Sequence, residues 1–362
     1  MPFMVREPHH ERYCSIANSN VHAFALSVSK GSERIVTQSR HPRVGLKRIA
    51  RLGSAISFIV MASSCANVAR PDDAARLRQT AALIEEVKAF GQTLGIVPTE
   101  ALRRTAQAGP TLSMLWLWMQ RDGTIALSAP LDIRLAIGLN NEKEAPKLDQ
   151  VYRVDGYSVY YRQGNEFADP RSVATVGFAE EPIVRRVKVI LHEDLHGDVN
   201  FALPWEIEEA VVTPLGSLAA IEYFRQAGDE RNLASAVNSV AEERKLAREL
   251  MALVGQAEKI FAAENIAHGK QKILDALVNY PSYRRQFERQ TRNQHAPTVV
   301  EAKLSHDLAY YRYFDRIVDL AERAPSLRTL IEDFKKLPRD ATPAAMEKFL
   351  SDLQAGYGAV TN

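Results

Sequence analysis

The stretch PIVRRVKVILHEDLHG, residues 182–197, decides how the fold of this chain is interpreted. Its apolar side chains recur every three or four positions, which is the spacing of one face of an α-helix. They are Ile183, Val187, Ile190, Leu191 and Leu195. Pro182 suits the first turn of a helix and Gly197 suits its end, so the sequence predicts a helix over 182–196.

Two histidines lie four positions apart on this predicted helix. Residues one turn apart share a face, so His192 and His196 can reach a single metal ion. Glu193 follows the first histidine directly, as in the H-E-x-x-H pattern, where such a glutamate takes a proton from water at the metal. Asp194 is charged, whereas zinc-peptidase helices normally have uncharged residues between the two histidines. The alternative interpretation is a solvated helix with two surface histidines.

A peptidase zinc site needs three protein ligands and an open position for water. Residues 204–224 have the pattern of a second helix, and its glutamates at 206, 208, 209 and 222 are candidates for the third ligand. Glu206 and Glu209 share a face, whereas Glu208 is expected to point elsewhere. Thr213, one turn beyond Glu209, could hydrogen-bond a histidine ligand. Each glutamate could equally belong to the helix surface.

These segments resemble the predicted aminopeptidase family of Gram-negative bacterial envelope lipoproteins, thermolysin-like zinc peptidases of the gluzincin type. In that family a glutamate lies thirteen positions after the second histidine, in a segment like N-E-S-F-A-T. Here that position is Glu209, and Thr213 also falls in register. Residues 156–160 (GYSVY) resemble the family's G-Y-D-V-Y strand, and residues 174–182 (ATVGFAEEP) resemble its S-T-L-G-W-F-D-D-P segment. The resemblance covers most of residues 75–340.

The resemblance implies a Zn²⁺ ion held by His192, His196 and Glu209, and trimming of peptides from their N-termini. In zincins an edge strand pairs with the substrate backbone, and we expect residues 173–178 to take this role. The residues that would contact the peptide are Thr175, Val176 and Gly177. An aminopeptidase also needs an acidic group for the free amine, and Glu180 or Glu181 is the candidate.

Several aromatic residues lie near the C-terminus, in residues 306–314. On a helix, His306, Tyr310 and Tyr313 form one stripe, and Tyr311 belongs to the next. Tyr310 or Tyr311 could lie over the zinc site and stabilise the oxyanion, a role often filled by Tyr or His in such enzymes. The alternative is aromatic packing in the core.

The N-terminal segment has the features of a targeting sequence. Residues 1–43 show no helical or strand period and are interpreted as disordered, or as an extension upstream of the native start. In residues 44–65, three basic residues precede an uncharged run, Leu52 to Ala62, which ends in small residues before Cys65. This pattern is typical of a secretory signal, and the small residues before Cys65 resemble a lipobox. We expect lipid on Cys65 and a place in the periplasm or outer membrane; the alternative is a buried helix in a cytoplasmic protein.

The composition describes an ordinary globular chain of 362 residues, 46% hydrophobic and 25% charged. Residues 1–51 hold nine Lys/Arg against three Glu, which leaves 37 basic and 41 acidic groups in the rest. Nucleic acid is therefore not an expected partner, because the basic excess lies outside the folded part. The fold class predicted for residues 66–362 is α+β and predominantly helical. A zincin-like catalytic core with a small sheet should cover about 75–225, and a helical part about 226–362.

Zinc-dependent peptide hydrolysis is the function that these observations favour, and its expected partner is a peptide substrate. Two alternatives remain at this point. The first is a helical binding or structural lipoprotein whose metal motif has lost activity, which Asp194 favours. The second is a cytosolic zinc hydrolase acting on something other than peptides, which holds if residues 44–65 are not a signal.

Overall fold

The computed structural model describes residues 71–105, 114–126, 136–138, 155–164, 172–198, 203–292 and 294–360. Residues 1–43, the predicted signal segment 44–65 and the predicted lipidation site Cys65 lie outside this part of the chain. The described residues form a predominantly helical α+β fold with a small sheet, as the sequence predicts. None of the described helices is both long and apolar enough to cross a membrane.

Among the described residues, the N-terminal half begins with one long helix, continues with five short strands and ends with three helices, the last two of which carry the predicted metal ligands. In chain order these are α1 (Pro71–Thr93), β1 (Leu102–Thr105), β2 (Met114–Arg121), β3 (Ala136–Gly138), β4 (Tyr157–Gly164), β5 (Val173–Ala174), α2 (Val176–Glu180), α3 (Ile183–Gly197) and α4 (Trp205–Ala227). Helix α1 ends where Gly95 adopts φ of +83°, a conformation that favours glycine. Residues 124–126, which follow β2 and its turn, have no regular secondary structure.

The C-terminal half is helical. It contains α5 (Glu230–Ala263), α6 (Ile266–Ala276), a 3₁₀ turn (Leu277–Asn279), α7 (Pro281–Thr291), α8 (Ala296–Tyr311), α9 (Phe314–Arg323), α10 (Leu327–Phe334) and α11 (Pro343–Val360). Asp229 caps α5 by accepting from the backbone N–H of Asn232, which satisfies a donor that the helix itself cannot.

Two small sheets are present among the described residues. Strands β3, β2 and β4 form an antiparallel sheet in that order, and Trp118 of β2 lies opposite Tyr160 of β4. Strands β1 and β5 pair in parallel. Helix α8 packs on β2 and β4, and the side-chain amide of Gln294 bonds both the N–H and the C=O of Tyr161, each at 2.9 Å. This amide pairs with the backbone of β4 as a neighbouring strand would.

Helix α4 lies at the centre of the fold. It packs against α3, α5, α8 and α9, and the residues from Ile207 to Ser217 are buried without interruption. One apolar cluster contains residues from both halves of the chain, including Leu191, Leu215 and Phe314. Because residues 207–217 of α4 are buried, polar side chains in this stretch have little access to water, and burying a charge there is unfavourable unless it is paired. Glu208 and Glu209 are therefore costly in this position unless something compensates their charge.

Candidate metal centre

The predicted metal helix is present as α3, Ile183–Gly197. Its apolar face, including Val187, Ile190 and Leu191, is fully buried. This packing fixes the rotation of the helix, and therefore the direction in which its polar side chains point. The ring centroids of His192 and His196 lie 4.6 Å apart, and their Nε2 atoms lie 3.0 Å apart. The spacing of four residues thus brings the two imidazoles to one point, as predicted.

Glu209 of α4 completes the group. Its Oε2 lies 3.3 Å from Nε2 of His196 and 3.7 Å from Nε2 of His192. Gly216, two turns further along α4, permits this approach, because a Cβ there would lie 3.1–3.3 Å from the Cβ, Cα and N atoms of His192. His192, His196 and Glu209 form a group that could hold a metal ion.

The distances within this group match the size of a tetrahedral zinc site. With bonds of about 2.0–2.1 Å, two ligands of a tetrahedral ion lie roughly 3.3 Å apart. The three observed separations are 3.0, 3.3 and 3.7 Å. Two imidazole nitrogens and one carboxylate oxygen also form a donor set that suits Zn²⁺. The group therefore fits the proposed ion in both spacing and chemistry.

Glu208 takes part in this site, whereas the sequence analysis expected it to point elsewhere. Its Oε1 lies 2.8 Å from Nδ1 of His196, and both side chains are at most 10% exposed. With its Nδ1 proton donated to this carboxylate, His196 keeps the Nε2 lone pair free for a metal. Helical spacing alone misplaced Glu208, but a histidine ligand generally requires an acceptor for its second nitrogen, and that requirement could have identified it.

The two glutamates change the acidity of His196. Burial lowers the pKa of this imidazole, but Glu209 and Glu208 together outweigh burial, and the pKa of His196 is raised well above its ordinary 6.5. In the metal-free protein, the two carboxylates therefore favour the protonated form of the His196 imidazole. A metal ion must displace that proton, so binding releases it and weakens as the pH falls.

Glu193 follows His192 on α3 and is 8% exposed. Its place in the sequence beside the first histidine is the one that a general base occupies in the H-E-x-x-H pattern. It lies within the same helical turn as the metal group, with its backbone fixed by the buried face of α3. Its part in chemistry remains a prediction.

Asp194 has a buried partner of its own. Its Oδ1 lies 2.5 Å from Nζ of Lys88 and accepts from the backbone N and the Oγ1 of Thr99, at 3.0 and 2.7 Å. The next carboxylate along the chain, Asp198, caps the C-terminal end of α3 and lies 3.3 Å from Nζ of Lys335. These charges are neutralised on the side of α3 away from the histidines. Lys88 lies 106 positions before Asp194, and no sequence pattern identified this pair.

Thr213 is buried on α4, and its hydroxyl has no hydrogen-bond partner among the described residues. The structure therefore does not show the bond to a histidine ligand that we expected, and this role stays a prediction. The backbone oxygen of Thr213 accepts from Ser217, whose Oγ also lies 3.0 Å from Oε2 of Glu243.

The expected substrate strand over 173–178 is wrong beyond its first two residues. Only Val173–Ala174 form a strand, and it pairs with β1. Thr175 caps helix α2 by accepting from the N–H of Phe178, so Val176 and Gly177 begin a helix. A capping threonine favours this helix over continuation of the strand. The backbone of these residues is therefore not available as an extended edge.

The two acidic residues assigned to the substrate amine form ion pairs with arginines. Glu180 lies 2.5 Å from Arg76, and Glu181 lies 3.6 Å from Arg185. All four side chains are more than a third exposed. Exposed ion pairs exchange partners readily, because each is worth little in water. The role of Glu180 and Glu181 in binding an amine remains a prediction.

Aromatic rings from β2, β4 and α8 surround His306. Its ring lies 5.2 Å from that of Trp118, 5.1 Å from that of Tyr160 and 5.0 Å from that of Tyr310. Tyr311 packs against Phe314, with centroids 6.0 Å apart. These contacts show aromatic packing for Tyr310 and Tyr311, and their proposed part in stabilising an oxyanion stays a prediction.

Comparison with known proteins adds no family to this geometry. No protein-family model matches the chain, and neither a curated protein nor a solved structure is similar to it.

Proposed function

We propose that this protein is a zinc-dependent peptide hydrolase, and that it acts as an aminopeptidase. The single observation that carries the proposal is the convergence of His192, His196 and Glu209 at distances that suit one tetrahedral ion. The H-E-x-x-H pattern on α3 adds Glu193 as the base. The choice of peptides, and of their N-termini, rests on the resemblance to the aminopeptidase family of envelope lipoproteins.

The chain's own residues have distinct parts in the proposed reaction. His192, His196 and Glu209 would hold the metal, and zinc, when bound, acts as a Lewis acid toward a carbonyl and makes water more acidic. Glu193 takes the proton from the attacking water and later delivers it to the leaving amine. Glu208 holds His196 in the orientation that directs Nε2 toward the ligand group.

The inactive alternative was favoured by the charge of Asp194. Lys88 neutralises that charge, and the ion pair lies on the side of α3 away from the histidines. The charge of Asp194 therefore does not disturb the group formed by the histidines and Glu209. This observation supports an active site over a lapsed one. The proposed place of the enzyme, lipid-anchored through Cys65 in the periplasm or outer membrane, depends on the sequence of residues 44–65.

The experiment that tests the function compares two glutamate variants of the full chain. Glu193→Gln should keep bound zinc and fold but lose about a hundred- to ten-thousand-fold in peptidase activity, because an amide cannot accept the proton. Glu242→Gln is the matched control, since this side chain is 67% exposed on α5. Zinc content and hydrolysis of aminoacyl amides are measured together.

Three results would contradict the proposal in whole or in part. Wild-type protein without stoichiometric zinc would remove the metal centre. Glu193→Gln with activity within a few-fold of wild type would remove Glu193 from the mechanism. Hydrolysis of N-terminally blocked peptides at the same rate as free ones would retain the hydrolase but reject the aminopeptidase.

A further inference from the structure

Asp194 occupies a special position on the ligand helix. It lies two residues after His192 and two before His196, so at 100° per residue its side chain leaves α3 on roughly the opposite side from both histidines. The side chain is 1% exposed, and its Oδ1 accepts from Lys88 and twice from Thr99. Three donors that converge on one oxygen restrict both the rotation and the sliding of the helix at this point.

The surroundings of the pair extend this restriction along the helix. Lys88 of α1 forms its ion pair with Asp194 of α3. About one turn away, Gly91 of α1 lies close to Leu191 of α3, because a Cβ added to Gly91 would lie 3.1 Å from Cδ2 of that leucine. Helices α1 and α3 therefore pack in antiparallel directions at close range. At the end of α3, a Cβ on Gly197 would lie 2.0 Å from Cγ2 of Thr99.

The energetics of the pair argue against a purely stabilising role. Lys88 is 2% exposed and Asp194 is 1% exposed, so both charges lose nearly all their contact with water. The attraction between two such charges commonly does no more than offset this desolvation, and apolar replacements of similar volume are often neutral or stabilising. An ion pair with little net effect on stability can still fix one geometry among several.

We propose that Lys88 and Asp194 are positioning residues of the metal centre. The pair sets the rotation of α3 about its axis, so that His192 and His196 face Glu209 at the distances that a metal requires. This inference rests on the proposed function, because it assumes that the group of two histidines and one glutamate binds a metal ion.

The test replaces the pair by apolar residues in the full chain. Lys88→Met with Asp194→Leu should leave the unfolding midpoint of the metal-free protein at or above that of wild type. The same variant should bind Zn²⁺ about tenfold or more weakly, which is the range seen when residues that orient ligands are lost. With Co²⁺ as the probe, its visible absorption should shift, because the ligand geometry relaxes.

Two further variants keep the test decisive. Thr99→Val removes the hydroxyl that donates to Asp194 and that accepts from the N–H of Ala101. It should weaken Zn²⁺ binding in the same direction by a smaller factor, even if the double variant fails to fold. Lys303→Met with Asp307→Asn is the matched control, since it removes another buried ion pair, on α8. The control should leave both the affinity and the Co²⁺ spectrum unchanged.

Each outcome bears on one claim. Unchanged Zn²⁺ affinity and Co²⁺ absorption in the double variant and in Thr99→Val would overturn the positioning role and leave the proposed function standing. A control that weakens metal binding as much as the double variant would also overturn it. A wild-type protein that binds neither ion overturns the proposed function itself, and the inference with it.

Discussion

Two buried clusters in this protein share the same histidine–carboxylate pair and differ in what surrounds it. In the metal centre, Nδ1 of His196 lies 2.8 Å from Glu208; on α8, Nδ1 of His306 lies 2.8 Å from Asp307. The α8 cluster contains its own cation, because Lys303 forms an ion pair with Asp307. In the candidate metal centre, a second histidine and a second carboxylate lie beside Nε2, the other ring nitrogen of His196.

The comparison shows that, among the described residues, a buried histidine–carboxylate pair does not by itself form a group that could hold a metal ion. The two pairs differ in what surrounds the imidazole. Around His306, the aromatic rings of Trp118, Tyr160 and Tyr310 surround the imidazole, and Tyr283 donates to the second oxygen of Asp307. The cluster on α8 is balanced by residues of the chain. In the candidate metal centre, Glu208 and Glu209 raise the pKa of His196, so the negative charge there favours a proton on the imidazole or a cation in its place.

The largest expected effect is on zinc content, which should respond to a histidine substitution in the candidate metal centre but not in the α8 cluster. His196→Ala should reduce bound zinc from about one per chain to nearly none, because a site of three protein ligands cannot lose one without collapse. His306→Ala should leave the zinc content unchanged. Elemental analysis of the purified variants checks both. Zinc lost from His306→Ala but retained by His196→Ala would reverse the assignment of the two clusters.

Removal of the buried Lys303 charge should lower the stability of the fold without changing metal binding. Lys303→Met leaves Asp307 charged and buried, which costs about 3–5 kcal/mol of unfolding free energy. The Zn²⁺ affinity of the folded protein should stay within about twofold of wild type, because Lys303 compensates only its own cluster. Urea denaturation and a competitive zinc titration measure the two quantities. Lys348→Met serves as the control, since that lysine is 76% exposed in its ion pair with Asp352.

A smaller effect is expected from the carboxylate that orients a ligand. Glu208→Gln should weaken Zn²⁺ binding by about 10- to 100-fold, because an amide holds the histidine with less charge behind it. Asp307→Asn makes the equivalent change in the α8 cluster and should not alter zinc affinity. If Glu208→Gln binds zinc as tightly as wild type, the bond to His196 is incidental to the metal.

The smallest expected effect is in the pH dependence of stability. The α8 cluster should lose stability as the pH falls, and the candidate metal centre should lose it as the pH rises. The charges of Lys303 and His306 overcome burial and hold the pKa of Asp307 at about 2, below its ordinary 3.8. Its contribution of roughly 2 kcal/mol is therefore present above pH 4 and is lost as the pH falls through about 2. For metal-free His196, whose pKa is raised, the contribution is present below pH 6.5 and is lost as the pH rises through the folded pKa.

Unfolding free energies measured in a metal chelator check both signs. The difference between wild type and Asp307→Asn should shrink on the acid side. The difference between wild type and His196→Gln should shrink on the alkaline side. A His196 difference that grows from pH 6 to pH 9 would contradict the raised pKa.

Local patterns were sufficient to predict part of this molecule. The apolar spacing in 182–196 and the one-turn separation of His192 and His196 depend only on helix geometry, and both are confirmed. The predominantly helical α+β class is also confirmed. The choice of Glu209 over its neighbours came from the family resemblance, and the structure places that residue beside both histidines. These features lie within a few turns of one another along the chain.

The features that the sequence did not predict depend on distant contacts or on a local competition. Lys88 and Asp194 meet only because α1 packs on α3, so their pairing required the tertiary structure. Residues 173–178 have apolar content that suits a strand, but the cap supplied by Thr175 favours a helix from Val176 onward. Glu208 reaches His196 through its side-chain conformation, which spacing on a helical wheel does not capture.

Gly216 has a consequence for how this protein can change over evolutionary time. The exposed surfaces of α3 and α4 can vary, but a methyl group at this position would lie 3.1 Å from the Cβ of His192 and 3.2–3.3 Å from its backbone, so the two helices would have to separate by a few tenths of an ångström. Such a widening acts directly on the gap between Glu209 and the histidines. A lineage that acquires alanine here would move Glu209 away from His192 and His196, and the three residues would then be less well placed to hold one ion between them.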